Sequence, residues 1–138
     1  MEYYKTYIKS LEDENVKIQT EVKLDSAHRL PNYIGKCANL HGHTWKIVIT
    51  VDAEVLDINE FAVDFVKVKE VMNKYDHTYL NNFIENPNAE NLAYKFANEI
   101  KELGNQYMEG TASPIGNRFN YVTVKVYESE VSFAEVTI

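Results

Sequence analysis

The chain has 138 residues, 45% hydrophobic and 25% charged, which fits one domain over residues 1–138 with a core of its own and excludes a disordered chain. Acidic side chains outnumber basic ones 21 to 14, a formal charge of −7, which argues against a duplex nucleic-acid binder, since that needs a cationic face for phosphates. The single cysteine excludes an internal disulfide framework, and neither a signal-like apolar start nor a membrane-spanning apolar run is present, so a soluble, cytoplasmic protein is expected.

In chain order, residues 3–9 favour extended backbone through Tyr3, Tyr4, Thr6, Tyr7 and Ile8, and the acidic stretch Glu12–Asn15 reads as a turn. Val16, Ile18, Thr20, Val22 and Leu24 alternate with polar neighbours, a half-buried strand ending near His28. Residues 29–40, with Pro31, Asn32, Gly35 and Asn39, read as a loop. A second strand runs from about His43 to Ala53, with Trp45, Ile47, Ile49 and Val51 on one face. Helical spacing takes over at Phe65, Val68, Met72 and Tyr75, and a second helix follows Pro87-Asn88 with Ala93, Phe96, Ala97, Ile100 and Leu103 in one stripe, ending near Gly104. A loop over 105–118 leads to two alternating runs, about 119–128 and 131–138, that read as a hairpin. Two strands, two helices and two strands predict an α+β domain, an antiparallel sheet with helices on one face. Four strands leave two unpaired edges, and Tyr121, Tyr127 and Phe133 interrupt the outer face, so subunits are expected to join edge to edge as a homo-oligomer.

Three of the four histidines, with Cys37, fall within sixteen residues: His28, His41 and His43. In His41-Gly42-His43 at a strand's start, residues i and i+2 share a face, so both imidazoles can converge on one cation. Gly42 between them is expected to allow close backbone approach. A hairpin would bring His28 beside the pair, and three neutral imidazoles are a common catalytic zinc set. The His-x-His of a cupin wants a carboxylate a few residues on, where this chain has Thr44 to Val48. Cys37 has three readings: a fourth ligand, a base whose thiol is acidified by the dication, or a small packed side chain.

The fourth histidine sits in Tyr75-Asp76-His77, where a carboxylate beside an imidazole can fix its tautomer for proton transfer; adjacent side chains often diverge, and a helix-end histidine also suits the carbonyl dipole. Glu90, in the first turn of a helix, complements the dipole there. Glu128, near a strand end on an apolar run, is placed to face a pocket and accept two hydrogen bonds from an amidine-like N–H pair.

These segments resemble the 6-pyruvoyltetrahydropterin synthase / 6-carboxytetrahydropterin synthase family. The resemblance rests on Ser26-Ala27-His28-Arg29-Leu30, Cys37-Ala38-Asn39-Leu40-His41-Gly42-His43, Val63-Asp64-Phe65, Asp76-His77-Thr78-Tyr79-Leu80-Asn81, Pro87-Asn88-Ala89-Glu90-Asn91-Leu92 and Val126-Tyr127-Glu128. It implies the tunnelling fold (T-fold), a four-stranded antiparallel sheet with two helices on one face, whose subunit sheets join into a barrel as trimers or hexamers. It implies that His28, His41 and His43 bind Zn2+ and that Cys37 is the catalytic base. Asp76 and His77 would form a proton relay lent by a neighbouring subunit, and Glu128 would anchor the pterin at a subunit interface. The implied substrate is 7,8-dihydroneopterin triphosphate, with no nucleic-acid or membrane partner.

Three residues separate Cys37 from His41, as in the bacterial 6-carboxytetrahydropterin synthases of queuosine biosynthesis, so the resemblance favours release of acetaldehyde and triphosphate over pyruvoyl or aldolase chemistry. A zinc- or pterin-binding oligomer without turnover is the reading from another class. The chain departs from the family's frequent pattern at Ser26 (often Ala), Asn88 (often Thr) and Ser129 (often Thr). Arg29 and Lys36, beside Cys37, are the expected phosphate contacts.

Overall fold

The computed structural model of the chain describes residues 15–54, 62–105 and 118–138; the strand expected at 3–9 and most of the loop expected at 105–118 lie outside these. The elements are strands β1 (Asn15–His28) and β2 (His41–Glu54), helices α1 (Phe65–Asn73) and α2 (Ala89–Glu102), and strands β3 (Arg118–Tyr127) and β4 (Phe133–Thr137). They form one four-stranded antiparallel sheet in the order β1-β2-β3-β4. Among the described residues no helix is long and apolar enough to cross a membrane.

The alternation in β1 and β2 fixes their register, because a slip of one residue would turn every apolar side chain to the wrong face. Their pairing runs from Asn15 opposite Glu54 to His28 opposite His41. On the covered face, Ile47, Ile49 and Val51 of β2 and Val122, Val124 and Val126 of β3 meet Leu92, Ala93, Phe96, Ala97 and Ile100 of α2, all 1% exposed or less. Fully burying each large aliphatic or aromatic side chain contributes about 1.5–3 kcal/mol. The opposite face carries Lys17, Gln19, Glu21 and Lys23 of β1, all exposed, with the rings of Tyr127 and Phe133 4.7 Å apart.

Both helices start on a side-chain cap. Asp64 Oδ1 accepts from the Val66 N–H, and Asn88 Oδ1 accepts from the Asn91 N–H, each satisfying an N–H that the helix leaves free. Helix α1 ends two residues short of Tyr75, the end expected from spacing. The amides of Tyr75 and Asp76 bond to the carbonyls three residues back, of Met72 and Asn73, a tightening common in a helix's last turn. Tyr75 is nonetheless buried, its ring 4.8 Å from Phe83 and 4.9 Å from Phe96. Strand β2 begins at His41 rather than His43, and β4 is shorter than the run read from sequence.

Candidate metal and proton-transfer site

The site sits where β1 ends and β2 begins. His28, Ser26 and Leu24 lie opposite His41, His43 and Trp45 in the ladder, so the three imidazoles share the helix-covered face. Ring centroids are 4.5 Å apart for His28–His41, 5.1 Å for His28–His43 and 4.9 Å for His41–His43. The Trp45 ring backs them edge-on, 4.9 Å from His28 and 5.0 Å from His43.

The tautomers follow from backbone partners. His28 Nδ1 lies 2.7 Å from the Pro87 carbonyl oxygen and His41 Nδ1 lies 2.7 Å from that of Asn39. A carbonyl only accepts, so both Nδ1 atoms carry the proton and donate. In the neutral rings both Nε2 atoms are then bare lone pairs, and they face each other at 2.9 Å. Such a pair repels unless a proton or a cation lies between. Burial holds His28 below its ordinary value, outweighing the Pro87 hydrogen bond, so an added proton is disfavoured. A shared metal ion fits better: tetrahedral zinc ligands at 2.0–2.1 Å sit roughly 3.3 Å apart, so the two atoms need to separate by only a few tenths of an ångström.

His43 strengthens the fit. Its Nε2 is buried without a hydrogen-bond partner among the described residues, although Glu128 Oε1 lies 3.0 Å away; that contact is electrostatic and lacks hydrogen-bond alignment. Burial lowers the His43 pKa and the Glu128 carboxylate partly opposes it. Donor atoms of His28, His41, His43 and Glu128 all lie within 4.8 Å of one another, a group that could hold a metal ion. Glu128, one residue past the end of β3, is thus brought beside the three histidines.

Cys37 stands apart from that group. It lies half-buried in a 3-10 turn, Lys36–Ala38, whose fold is held by the Leu30 N–H donating to the Cys37 carbonyl at 2.8 Å. Among the described residues the metal-capable cluster does not include it. The close approach expected at Gly42 is not tight within one chain, since a Cβ there would meet only the Ser26 carbonyl oxygen at an ordinary 3.7 Å. Arg29 donates through Nε to the Ala38 carbonyl at 3.2 Å, so its guanidinium braces this loop.

Asp76 and His77 form a second group with Asp25. Asp76 Oδ2 is 3.7 Å from His77 Nε2, and Asp76 Oδ1 accepts from the Asp25 N–H at 2.8 Å. His77 adopts a left-handed backbone, φ 55, and is mostly exposed. Its N–H donates to the Asp25 carbonyl, and the Ala27 N–H donates to that of Thr78, so residues 77–79 run along the outer edge of β1 while His41 and His43 lie on its other side. An open depression of about 560 Å³ at this end of the sheet is lined by residues of both groups, including Asp25, Gly42, His43, Thr44 and His77.

The sequence did not point to the Pro87 carbonyl as a partner of His28, nor to Asn81. The Asn81 side chain accepts from the Arg29 N–H and donates to the Arg29 carbonyl, both at 2.9 Å. Pro87 was visible only as a helix start and Asn81 only as part of a motif.

A family model described as 6-pyruvoyl tetrahydropterin synthase matches residues 17–138. The chain is 30% identical over 128 residues to a putative 6-carboxy-5,6,7,8-tetrahydropterin synthase of Archaeoglobus fulgidus, covering 90% of this chain and 97% of that protein. It is 30% identical over 90 residues to a dihydroneopterin monophosphate aldolase of Pyrococcus furiosus, covering 62% and 75%. The structure of Caenorhabditis elegans 6-pyruvoyl tetrahydropterin synthase is similar with a TM-score of 0.65 at 19% identity, over 91% of this chain and 96% of that one. A Plasmodium vivax 6-pyruvoyl tetrahydropterin synthase gives 0.64 at 16% identity, over 91% and 99%. At those identities the likeness bears on the fold, which is the tunnelling fold.

Proposed function

The chain belongs to the 6-pyruvoyl tetrahydropterin synthase family, and from that premise we propose that it is a zinc-dependent 6-carboxy-5,6,7,8-tetrahydropterin synthase. It converts 7,8-dihydroneopterin triphosphate and one water to 6-carboxytetrahydropterin, acetaldehyde and triphosphate. The observation that carries the metal chemistry is the pair of bare Nε2 atoms of His28 and His41 facing each other at 2.9 Å, with the orphaned Nε2 of His43 beside them. The branch of the reaction is supported by the near full-length similarity to proteins named for the carboxy product.

His28, His41 and His43 hold the zinc, with the carbonyls of Pro87 and Asn39 fixing two of the three rings by accepting hydrogen bonds from their Nδ1–H groups. Bound there, zinc supplies Lewis-acid polarisation of the substrate's side-chain hydroxyls. Cys37, outside the ligand group, acts as the base that takes a proton from the side chain. Asp76, 3.7 Å from His77, orients that imidazole to carry a proton to or from the reacting carbons. Glu128 accepts from the pterin's N–H groups while its charge favours the site's cations. The protein works as a cytoplasmic homohexamer built from trimers joined through the outer edges of β1 and β4, with the Asp76–His77 pair serving a neighbouring subunit's zinc, in queuosine biosynthesis.

The test is product identification by mass after zinc-loaded protein meets 7,8-dihydroneopterin triphosphate without oxygen. Acetaldehyde with the 6-carboxy pterin is the expected result. A 6-pyruvoyl product assigns the pyruvoyl branch, glycolaldehyde the aldolase branch, and unchanged substrate removes the catalytic reading.

A further inference from the structure

We infer that Ser26 is a positioning residue for the proton-relay pair: its hydroxyl fixes the turn that carries Asp76 and His77 against the strand that ends in the metal ligand His28. This rests on the proposed role of Asp76 and His77. Ser26 opens the Ser26-Ala27-His28 motif at a position where the family often has alanine, and the proposed mechanism leaves its hydroxyl unused.

Ser26 is 6% exposed and, with His28, is one of two buried polar residues among those described. Its Oγ donates to the Tyr75 carbonyl at 2.5 Å, and the same carbonyl accepts from Thr78 Oγ1 at 2.6 Å. One backbone oxygen is thus held from both sides, immediately before Asp76. The far end of Tyr75 is pinned too, since its hydroxyl donates to Glu99 of α2 at 2.5 Å. Between these anchors His77 is held in a left-handed conformation, which a residue with a Cβ keeps only when its surroundings over-determine it. Ser26 also touches the surroundings of its own chain's histidine group: its carbonyl accepts from Trp45 Nε1 at 3.2 Å, and Trp45 backs His28 and His43.

A purely structural role predicts a different consequence. If Ser26 became alanine, the Tyr75 carbonyl would still accept from Thr78, so no buried acceptor is orphaned and the fold cost stays small. What is lost is direction, the constraint on where Asp76 and His77 sit relative to β1.

The test compares wild type, Ser26→Ala, His77→Ala and the double variant, all zinc-loaded, by zinc content, steady-state kinetics and amide hydrogen exchange. Ser26→Ala should keep stoichiometric zinc and KM within about twofold, while kcat falls about tenfold or more, the signature of lost orientation. The amides of His77 and Ala27, which bond across this junction, should exchange about tenfold faster, and those of residues 43–45 should not change. In the His77→Ala background, Ser26→Ala should cost nothing further in kcat. Equal losses in both backgrounds, unchanged exchange at His77 and Ala27, or loss of zinc from Ser26→Ala would each overturn the inference. If wild type does not turn over the substrate, the proposed reaction fails while the exchange comparison still decides whether Ser26 holds the turn.

Discussion

His28 and His41 sit directly opposite each other at the open end of the β1–β2 ladder and point bare Nε2 atoms at one another across 2.9 Å, because each keeps its proton on Nδ1 and donates it in a hydrogen bond to a backbone carbonyl. The arrangement is unfavourable for two neutral rings and favourable around a cation. The fold has committed the tautomers in advance.

Metal binding should therefore depend on these rings. One zinc per chain is expected, and His41→Ala should weaken its affinity by more than the 10–100-fold typical of losing an outer hydrogen-bond partner. With free zinc at about a thousand times Kd, the protein should gain about 4 kcal/mol, a rise on the order of 10 °C in Tm for a domain of this size. Chelator titration followed by thermal melting reads both. Full metal retention by His41→Ala would count against the three-histidine site.

Cys37→Ala should keep zinc and lose turnover by about 10²–10⁴-fold, the range for removing a general base. Metal analysis beside single-turnover kinetics separates the roles. Stoichiometric loss of metal from this variant would make Cys37 a ligand, contrary to its separation from the imidazole group.

Glu128→Gln keeps the size of the side chain and removes its charge 3.0 Å from His43. It should retain zinc and raise KM for the pterin by about ten- to a hundredfold, since hydrogen bonds to a charged acceptor are worth about 1.5–3 kcal/mol. Loss of zinc instead would make the carboxylate a fourth ligand.

Without metal, stability should fall as the pH drops below about 6.5. Burial holds His28 and His43 below that ordinary value. In the window beneath it the unfolded chain binds more protons than the folded one, so stability rises with pH. The loss should begin as pH falls through the unfolded value and level off once the folded imidazoles protonate. Denaturant melts of the metal-free protein across pH 7.5 to 5.0 measure it. The same slope in a His28→Gln, His43→Gln double variant would assign the effect to other groups.

Much of this was legible in the residues. The period-two pattern from Val16 to Leu24 and from Trp45 to Val51 marked two strands whose hairpin brings His28 beside the His41–His43 pair, and the folded register sets it opposite His41. The stripe Ala93, Phe96, Ala97, Ile100 fixed the buried face of α2. The hidden parts are contacts across long separations with no side-chain signature. Pro87 acts on His28 through a carbonyl 59 residues away, and Ser26 reaches a carbonyl 49 residues away. Any residue supplies such an oxygen, so only the folded backbone shows which one matters. The early end of α1 was invisible for a related reason: Tyr75 fits the apolar spacing, yet its carbonyl is taken by two hydroxyls.

The segment along the outer edge of β1 also governs how the sheet can grow. An open edge accepts another strand, but here the Asp25 carbonyl and the Ala27 amide are already taken by His77 and Thr78. Among the described residues, a strand added there has Asn15 to Lys23 to pair with, roughly 30 Å of ladder at about 3.4 Å per residue. It must stop against the turn that holds Asp76 and His77, which makes that turn a doorstop for the sheet. A strand that fills this edge as far as the turn brings its tip to Asp76 and His77.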